Sequence, residues 1–255
     1  FDINDQDRFF KQIHGKELSF NNLNDLRAAL SLLAEFKNPS AVIIKHAIPS
    51  GVAESNNIYN ACIKALQADE LSAFGGVVSL NGSVDKKLAL KLSAIFLEVI
   101  AAKSFTKEAI EILSQKKNLR IIKILNLKKF EKSRPQNIIT MPDVFLVQNS
   151  DIASINKKNI KIVSKRKPTK LEIDDLIFAN KIVKHVRSNA IVLAKNRVTL
   201  GIGSGNTSRI DSVNFAIQKS SRANIKNKKN FLSGAVMASD AFFPFPDSII
   251  LAYKA

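Results

Sequence analysis

The chain has 255 residues, of which 45% are hydrophobic and 24% are charged, and these proportions exclude an intrinsically disordered chain and a coiled coil. That length allows one large domain or two ordinary ones with a substantial core. Lys91 and Glu98 interrupt the most apolar stretch, residues 88–102, so no segment supplies the roughly 20 apolar residues of a transmembrane helix.

The chain is strongly basic, because 39 Lys and Arg residues outnumber 22 Asp and Glu residues and give a net charge of +17. Such a charge attracts nucleic acid, anionic lipid or small polyanionic substrates without distinguishing among them. The basic residues are scattered and lack interleaved aromatic residues, which favours a lysine-rich surface over a nucleic-acid interface. We interpret the densest clusters as solvated turns, at residues 116–117, 128–129 and 226–229.

Cysteine usage and the first residues indicate the cellular setting. Cys62 is the only cysteine, which excludes an internal disulfide and clustered thiolate metal ligands and favours the cytoplasm. Residues 1–5 begin without Met and lack the basic and apolar regions of a signal peptide, so we expect a fragment boundary there.

Predicted helices and strands alternate in the first half of the chain, which is typical of an α/β fold. Leucines recur at spacings of three and four over residues 23–36 and predict an amphipathic helix. The β-branched run at residues 41–46 predicts a strand buried on both faces, which ends at Lys45 and His46. The alternation continues with helices predicted at residues 58–68, 86–96 and 106–115, and with strands predicted at residues 74–80, 99–101 and 120–125.

Regular periodicity weakens between residues 128 and 168, where prolines and many Lys and Asn residues predict a junction between two domains. Beyond the junction, helices are predicted at residues 170–186 and 208–218, and strands at residues 190–194 and 199–203. Ser208 opens the last helix and Asp211 follows three residues later, as in a capping box. Two weak signs indicate an internal duplication. The predicted apolar strands at residues 41–45 and 190–194 match each other, and the segments Ser-Ala-Phe-Gly at residues 72–75 and Ser-Asp-Ala-Phe at residues 239–242 each lie near a strand.

Three segments combine residue types that can carry chemistry, and the first contains Lys45 and His46 at the end of their strand. Ligands of open α/β sheets bind where strands end, and a cation beside an imidazole can polarise a carbonyl and move a proton. A histidine that only satisfies a buried hydrogen bond explains the same residues equally well.

The second segment pairs Ser188 and Asn189 with the glycine-rich residues 201–209. Alternating glycines let the backbone approach a ligand, a capped helix start offers free N–H groups to an anion, and Arg209 can add a bidentate contact. The spacing matches neither a P-loop nor a dinucleotide-binding fingerprint, and glycine-rich turns are also common in hairpins.

The third segment, residues 240–247, contains three Phe residues interrupted by Pro and flanked by Asp240 and Asp247. Its prolines exclude a simple helix or a central strand. A core loop fits this composition, and so does an aromatic wall with two acids that would bind a flat heterocycle bearing amino groups.

Together these segments resemble the AICAR transformylase family, the formyltransferase part of a bifunctional purine biosynthesis protein. The resemblance covers nearly the whole chain, from about residue 14 to residue 249. Its motifs occur here in the family's order: Lys-His-x-x-Pro-x-Gly-Val-Ala, Ser-Ala-Phe-Gly-Gly, Ser-Asn-Ala-Ile-Val, Gly-Ile-Gly-x-Gly-x-x-Ser-Arg and Ala-Ser-Asp-Ala-Phe-Phe-Pro-Phe.

The resemblance implies transfer of a formyl group from 10-formyltetrahydrofolate to the 5-amino group of AICAR, which gives FAICAR in purine (IMP) biosynthesis. It makes His46 the proton acceptor and Lys45 the group that stabilises the oxyanion. The positions that contact the nucleotide are Gly75, Glu98, Asn189 and Arg209, and those that contact the folate are Ile210, Phe242 and Asp247.

The resemblance also implies a fold of duplicated cytidine-deaminase-like three-layer α/β/α units. The first unit is expected at residues 1–130, a connecting segment at 131–168 and a truncated second unit at 169–255. A homodimer with shared active sites is implied, whereas neither a membrane nor nucleic acid is an expected partner.

Metals are not expected from the family pattern. Residues 46–48 lack the deaminase glutamate and no Pro-Cys-x-x-Cys follows, in agreement with a family that lacks zinc. Family members bind a structural monovalent cation near a Ser-Asn-Ser segment, and Ala190 replaces one of those serines, which counts against potassium.

Two departures keep an alternative open. The family usually reads Lys-His-x-Asn-Pro-Cys-Gly, so Ile48 and Ser50 remove a polar contact beside the base. The family's upstream Arg-Tyr-Gly segment, its cyclohydrolase domain and its C-terminal segment have no counterpart in the sequence. The alternative is a noncatalytic nucleotide- or RNA-binding remnant, which salt-dependent RNA binding without AICAR affinity would favour.

Overall fold

The computed structural model describes residues 8–132, 136–153, 155–223 and 232–255, and its main feature is a mixed sheet of nine strands. In spatial order the sheet runs β1-β6-β5-β4-β2-β3-β10-β9-β11, and β7 and β8 form a separate hairpin. The strands are β1 (Phe10–His14), β2 (Ser40–Lys45), β3 (Ile48–Glu54), β4 (Gly76–Val84), β5 (Leu97–Phe105), β6 (Arg120–Ile124), β7 (Asn137–Met141), β8 (Val144–Gln148), β9 (Ile191–Lys195), β10 (Val198–Gly203) and β11 (Val236–Ser239).

Helices cover both faces of the sheet. They are α1 (Phe20–Leu33), α2 (Ile58–Ala68), α3 (Glu70–Ala73), α4 (Lys86–Ser93), α5 (Lys107–Leu113), α6 (Leu127–Lys132), α7 (Lys170–Val183), α8 (Arg209–Ala223) and α9 (Asp247–Lys254). Side chains alternate along β2, so that Val42 and Ile44 belong to one core cluster with residues of α1 and α7, whereas Ala41 and Ile43 belong to a second cluster with residues of α2, α4 and α5. The α/β class expected from the sequence is therefore confirmed, and none of the described helices is long and apolar enough to cross a membrane.

Strand directions bring many strand ends to one edge of the sheet. The pairs β4·β5 and β5·β6 are parallel, and the other pairs in the sheet are antiparallel. The edge at which β2 ends with Lys45 is called the Lys45 edge here. At this edge β10 and β11 also end, and β3, β4, β5, β6 and β9 begin.

Two segments of the chain share one construction, in which a helix, a β-hairpin and a second helix follow one another. The first runs through α1, β2, β3 and α2, and the second through α7, β9, β10 and α8. Capping boxes open α1 at Ser19 and α7 at Thr169. In both segments a glycine, Gly51 or Gly201, allows the second helix to pack closely, because a Cβ on either would lie 2.0 Å from a helix carbonyl oxygen.

Most predicted elements are present with shifted ends, but strands β1, β3, β7, β8 and β11 and the short helices α3, α6 and α9 were not predicted. Pro49 and Gly51 make β3 resemble a turn in the sequence. The strand tolerates them because its register with β2 shifts between Ile43 and Ile44, a β-bulge at which proline is permitted.

Residues 128–168, where periodicity weakens and a junction between domains is predicted, contain most of α6 and the β7–β8 hairpin, which the sequence did not predict. Of the basic clusters, residues 116–117 lie between α5 and β6 as expected, whereas residues 128–129 belong to α6. Residues 226–229 lie outside the described part of the chain.

Candidate functional site

Lys45 and His46 line a common cleft of about 210 Å³ at the Lys45 edge. The Lys45 ammonium donates a hydrogen bond of 2.6 Å to the carbonyl oxygen of Phe74. His46 is exposed, and its imidazole makes no hydrogen bond within the described residues. The cleft is therefore lined by a cation held through a hydrogen bond and by an exposed imidazole, and the interpretation of His46 as a buried structural histidine was wrong.

The second half of the chain also contributes to the lining of the cleft. Phe215 and Lys219 of α8 line it, together with Ile48 and Ser50 of β3. The Lys219 ammonium lies 2.6 Å from the carboxylate of Asp69 and 2.6 Å from the hydroxyl of Ser72. These contacts join the two halves across the cleft, and the two departures at positions 48 and 50 lie in the same cleft as His46.

Gly75 lies next to Lys45, in the residue before β4. Its φ of 69° is in the left-handed region that glycine adopts without strain, and its N–H donates to the carbonyl of Phe96 over 2.8 Å. A Cβ at this position would lie 4.0 Å from Lys45 Nζ. Glycine here thus keeps the space beside the lysine ammonium open.

Glu98 lies at the start of β5 on the Lys45 edge, and its carboxylate accepts a hydrogen bond of 2.6 Å from Arg120. The Arg120 side chain is 12% exposed and the Glu98 side chain 36%, so the arginine is shielded while the carboxylate stays accessible to solvent. Sequence reasoning missed Arg120. The available signal was that Arg120 begins the predicted strand that follows the strand of Glu98 along the chain.

A second group of site residues surrounds Asp240, directly after β11. The Arg209 guanidinium lies 2.5 Å from one Asp240 oxygen and 2.7 Å from the hydroxyl of Ser239, while the Ser188 hydroxyl donates to the other Asp240 oxygen. Burial alone would raise the pKa of Asp240, but hydrogen bonds from Ser188, Arg209 and the Ala190 backbone outweigh it and lower that pKa. Asp240 is therefore held as an anion that anchors Arg209.

Asn189 belongs to this second group and fixes the glycine-rich loop. The Ser188–Asn189 peptide bond is cis. The Asn189 amide donates to the carbonyl oxygens of Asn206, over 3.0 Å, and of Thr207, over 3.2 Å. Ser208 caps α8 as expected, because its hydroxyl accepts the N–H of Asp211 over 3.2 Å.

The chain is similar to known proteins of a single family. Residues 3–219 match the family described as AICARFT/IMPCHase bienzyme. The chain is 50% identical over 244 residues to the bifunctional purine biosynthesis protein PurH of Thermoanaerobacter sp. (strain X514), 43% identical over 245 residues to that of Acetivibrio thermocellus, and 45% identical over 248 residues to that of Bacillus cytotoxicus. The chain belongs to the AICARFT/IMPCHase bienzyme family.

These alignments cover 96%, 96% and 97% of the chain but 46% of each relative, so the chain spans about half the length of the curated AICARFT/IMPCHase relatives that it matches.

The remaining family positions lie beyond strands that end at the Lys45 edge. Ile210 is the second residue of α8 and is partly buried. Phe242 lies in the loop after β11 and is 81% exposed. Asp247 begins α9, and its carboxylate accepts the N–H of Ser248 over 2.6 Å.

The predicted family residues thus form two groups on one edge of the sheet. The first group lies in or beside β2, β4 and β5 and consists of Lys45, His46, Gly75 and Glu98. The second group consists of Asn189, just before β9, and of the residues that follow β10 or β11, namely Arg209, Ile210, Phe242 and Asp247. Strands β3 and β10 separate β2 from β9, which corresponds to roughly 14 Å at about 4.8 Å per strand. Within the described ranges, no group of three or more His, Cys, Asp or Glu residues could hold a metal ion.

Proposed function

We propose that the chain transfers a formyl group from 10-formyltetrahydrofolate to the 5-amino group of AICAR and so produces FAICAR in purine (IMP) biosynthesis. One observation carries the proposal, namely that Lys45 and His46 line the same cleft in a chain of the AICARFT/IMPCHase bienzyme family. The named relatives are bifunctional purine biosynthesis proteins, and the comparisons give no support to a noncatalytic RNA-binding remnant.

In the proposed reaction, the amino nitrogen of AICAR attacks the formyl carbon and forms a carbon–nitrogen bond. The bond from that carbon to N10 of the folate then breaks, and its electron pair stays on N10. His46 accepts the proton that the amine loses, and the same proton can pass to N10. An aromatic amine is a poor nucleophile, so proton removal during attack lowers the barrier.

Lys45 stabilises the negative charge that develops on the formyl oxygen. Its ammonium group has three hydrogens, and one of them is donated to the Phe74 carbonyl oxygen in a hydrogen bond. The other two can be donated to the oxyanion. Because the ammonium is already held in place, little reorganisation is needed when the charge appears.

The other family positions hold the substrates in this proposal. Gly75, Glu98, Asn189 and Arg209 contact the nucleotide, while Ile210, Phe242 and Asp247 contact the folate. The open space beside Gly75 and the exposed ring of Phe242, which is free to stack on a flat heterocycle, support these roles.

We further propose a homodimer with active sites shared between subunits. The separation of the Lys45 group from the Asn189 group by two strands supports a site that a second subunit completes. The single buried cysteine supports a cytoplasmic setting. The ligands in this proposal are small molecules, with neither nucleic acid nor a membrane as partner.

The fold is proposed to contain two cytidine-deaminase-like units, at residues 1–130 and 169–255, joined by residues 131–168. The shared construction of the two helix–hairpin–helix segments supports a duplication, and Ser19 and Thr169 are separated along the chain by the same distance as Gly51 and Gly201. The proposal includes no zinc, because residues 46–48 lack the deaminase glutamate, and Ala190 still counts against potassium.

AICAR-dependent formation of tetrahydrofolate tests the proposed function. The protein is expressed from its complete gene and mixed with 10-formyltetrahydrofolate, with and without AICAR, while absorbance reports tetrahydrofolate. We expect turnover only when AICAR is present. A protein that binds both substrates and never transfers the formyl group would refute the proposal.

A further inference from the structure

The turn between β2 and β3 places His46 in an unusual backbone conformation. His46 has a φ of 54° and Ala47 a φ of 59°, so both residues lie in the left-handed region. Two-residue hairpin turns of this kind favour Asn-Gly or Asp-Gly, because side chains other than those of Asn and Asp are sterically unfavourable there. The sequence His-Ala therefore does not favour this turn by itself, and another part of the chain must stabilise it.

Asp25 of α1 supplies that stabilisation. One of its carboxylate oxygens accepts the N–H of Ala47 over 2.6 Å, and the other accepts the N–H of His46 over 3.3 Å. Helix α1 is anchored in the core by Leu26 and Leu30, which are 1% exposed. The carboxylate thus ties the turn to a helix that the core holds in place.

His46 depends on its backbone for position more than a typical catalytic histidine does. In many enzymes a third group hydrogen-bonds to the base and orients its ring. The His46 ring has no such partner among the residues that the structure describes. Lys45, by contrast, is paired with Ile48 in the sheet, and its ammonium group donates a hydrogen bond to the carbonyl oxygen of Phe74.

We propose that Asp25 is a positioning residue for formyl transfer, which fixes the turn so that the His46 imidazole enters the cleft beside the Lys45 ammonium. The inference rests on the proposed function. It assigns Asp25 no contact with either substrate, so loss of the carboxylate should reduce the rate of the chemical step and leave substrate binding nearly unchanged.

The chain contains a matched control for this inference. Asp175 of α7 accepts the N–H groups of Asn196, over 2.8 Å, and Arg197, over 2.7 Å, in the turn between β9 and β10. Those two residues also have positive φ values, of 52° and 55°. Because β9 runs away from the Lys45 edge, this turn lies at the opposite edge of the sheet, where no proposed site residue is found.

The test compares Asp25→Asn with Asp175→Asn in the protein expressed from its complete gene. An asparagine side chain has one carbonyl oxygen, so it can keep only one of the two hydrogen bonds in either turn. We expect both variants to have a lower Tm. Only Asp25→Asn should lower kcat, by about 10- to 100-fold as expected for a displaced reacting group, with the Kd of AICAR within about twofold of the parent value.

The outcomes separate the two proposals. A parent protein without formyl transfer refutes the proposed function and the role of Asp25 with it. A parent that transfers formyl, with equal kcat in both variants or with loss only of AICAR affinity in Asp25→Asn, refutes the positioning role alone. If Asp25→Asn does not fold, Asp25→Glu replaces it. The longer side chain should still accept both N–H groups of the turn but hold the turn in a shifted position, because its carboxylate is displaced by one methylene. A kcat equal to that of the parent would then overturn the inference.

Discussion

Arg209 and Asp240 form an ion pair, with Nη1 2.5 Å from Oδ1, that joins the first residue of α8 to the residue after β11. Their side chains are 10% and 18% exposed, so the pair is largely shielded from water. An arginine held in this way keeps several N–H donors in a fixed direction for an anionic ligand. The pair therefore connects the stability of the glycine-rich loop with the proposed nucleotide site.

Replacement of Arg209 by Ala should weaken AICAR binding by about 10- to 100-fold, because a charge-assisted hydrogen bond to phosphate contributes about 1.5–3 kcal/mol. Titration calorimetry measures the effect. Arg197→Ala is the control, since Arg197 is also paired, 2.9 Å from Glu54, but lies at the opposite edge of the sheet. An unchanged affinity in Arg209→Ala would remove Arg209 from the site.

Replacement of His46 by Ala should lower kcat by about 10²- to 10⁴-fold, which is the usual contribution of a general base, with little change in AICAR affinity. Lys45→Ala should act similarly through lost stabilisation of the oxyanion. His14→Ala is the control. His14 ends β1 at the Lys45 edge, and its ring is hydrogen-bonded to the Lys116 carbonyl oxygen, 3.3 Å away. If His46→Ala turns over as fast as the parent, the assigned base is wrong.

The double change Ile48→Asn and Ser50→Cys should raise kcat, because an amide at position 48 would regain a polar contact beside the His46 imidazole. Both residues line the cleft of Lys45 and His46. Steady-state kinetics of the parent, each single variant and the double variant measure the effect. Equal kcat values in all four proteins would show that these departures do not limit the reaction.

Stability in acid should depend on Glu35, which follows α1 and contacts Lys184 at 2.7 Å and His185 at 3.1 Å. Burial alone would raise the pKa of Glu35, but hydrogen bonds from His185 and Lys184 outweigh it and lower the pKa from 4.5 to about 2. A carboxyl with a depressed pKa stabilises the fold above its unfolded pKa, and this contribution disappears as the pH falls from 4.5 towards 2.

Urea unfolding of the parent and of Glu35→Gln between pH 2 and pH 6 measures that contribution. The free energy of unfolding of the parent should exceed that of the variant by roughly 3 kcal/mol at pH 6, and this difference should shrink as the pH falls. Glu111→Gln is a surface control on α5 and should change stability little at any pH. A difference between parent and Glu35→Gln that is independent of pH would contradict the assignment.

Light scattering at high protein concentration tests the proposed homodimer. We expect a dimeric mass, because the Lys45 and Asn189 groups stand on strands that β3 and β10 separate. A strictly monomeric mass in a fully active protein would refute a site shared between subunits.

Local sequence patterns predicted much of this protein. Apolar periodicity located α1, β2 and most other elements of the α/β fold, because burial of a helix face or a strand is encoded by neighbouring residues. Sequence motifs also indicated the Lys45 and His46 pair and the glycine-rich loop before Arg209 as candidate site segments, because short motifs carry their chemistry in adjacent positions. The strand β3 was missed, because Pro49 and Gly51 indicate a turn unless a bulge is known to accommodate them.

Only the tertiary structure decided which of these residues meet. Glu98 pairs with Arg120, Arg209 with Asp240, and the Asp25 carboxylate with the turn that carries His46. Each contact joins residues that are distant in sequence, and periodicity within one element contains no information about the partner across the sheet. The order and direction of the strands bring those partners together, and they result from the packing of the whole chain around its core.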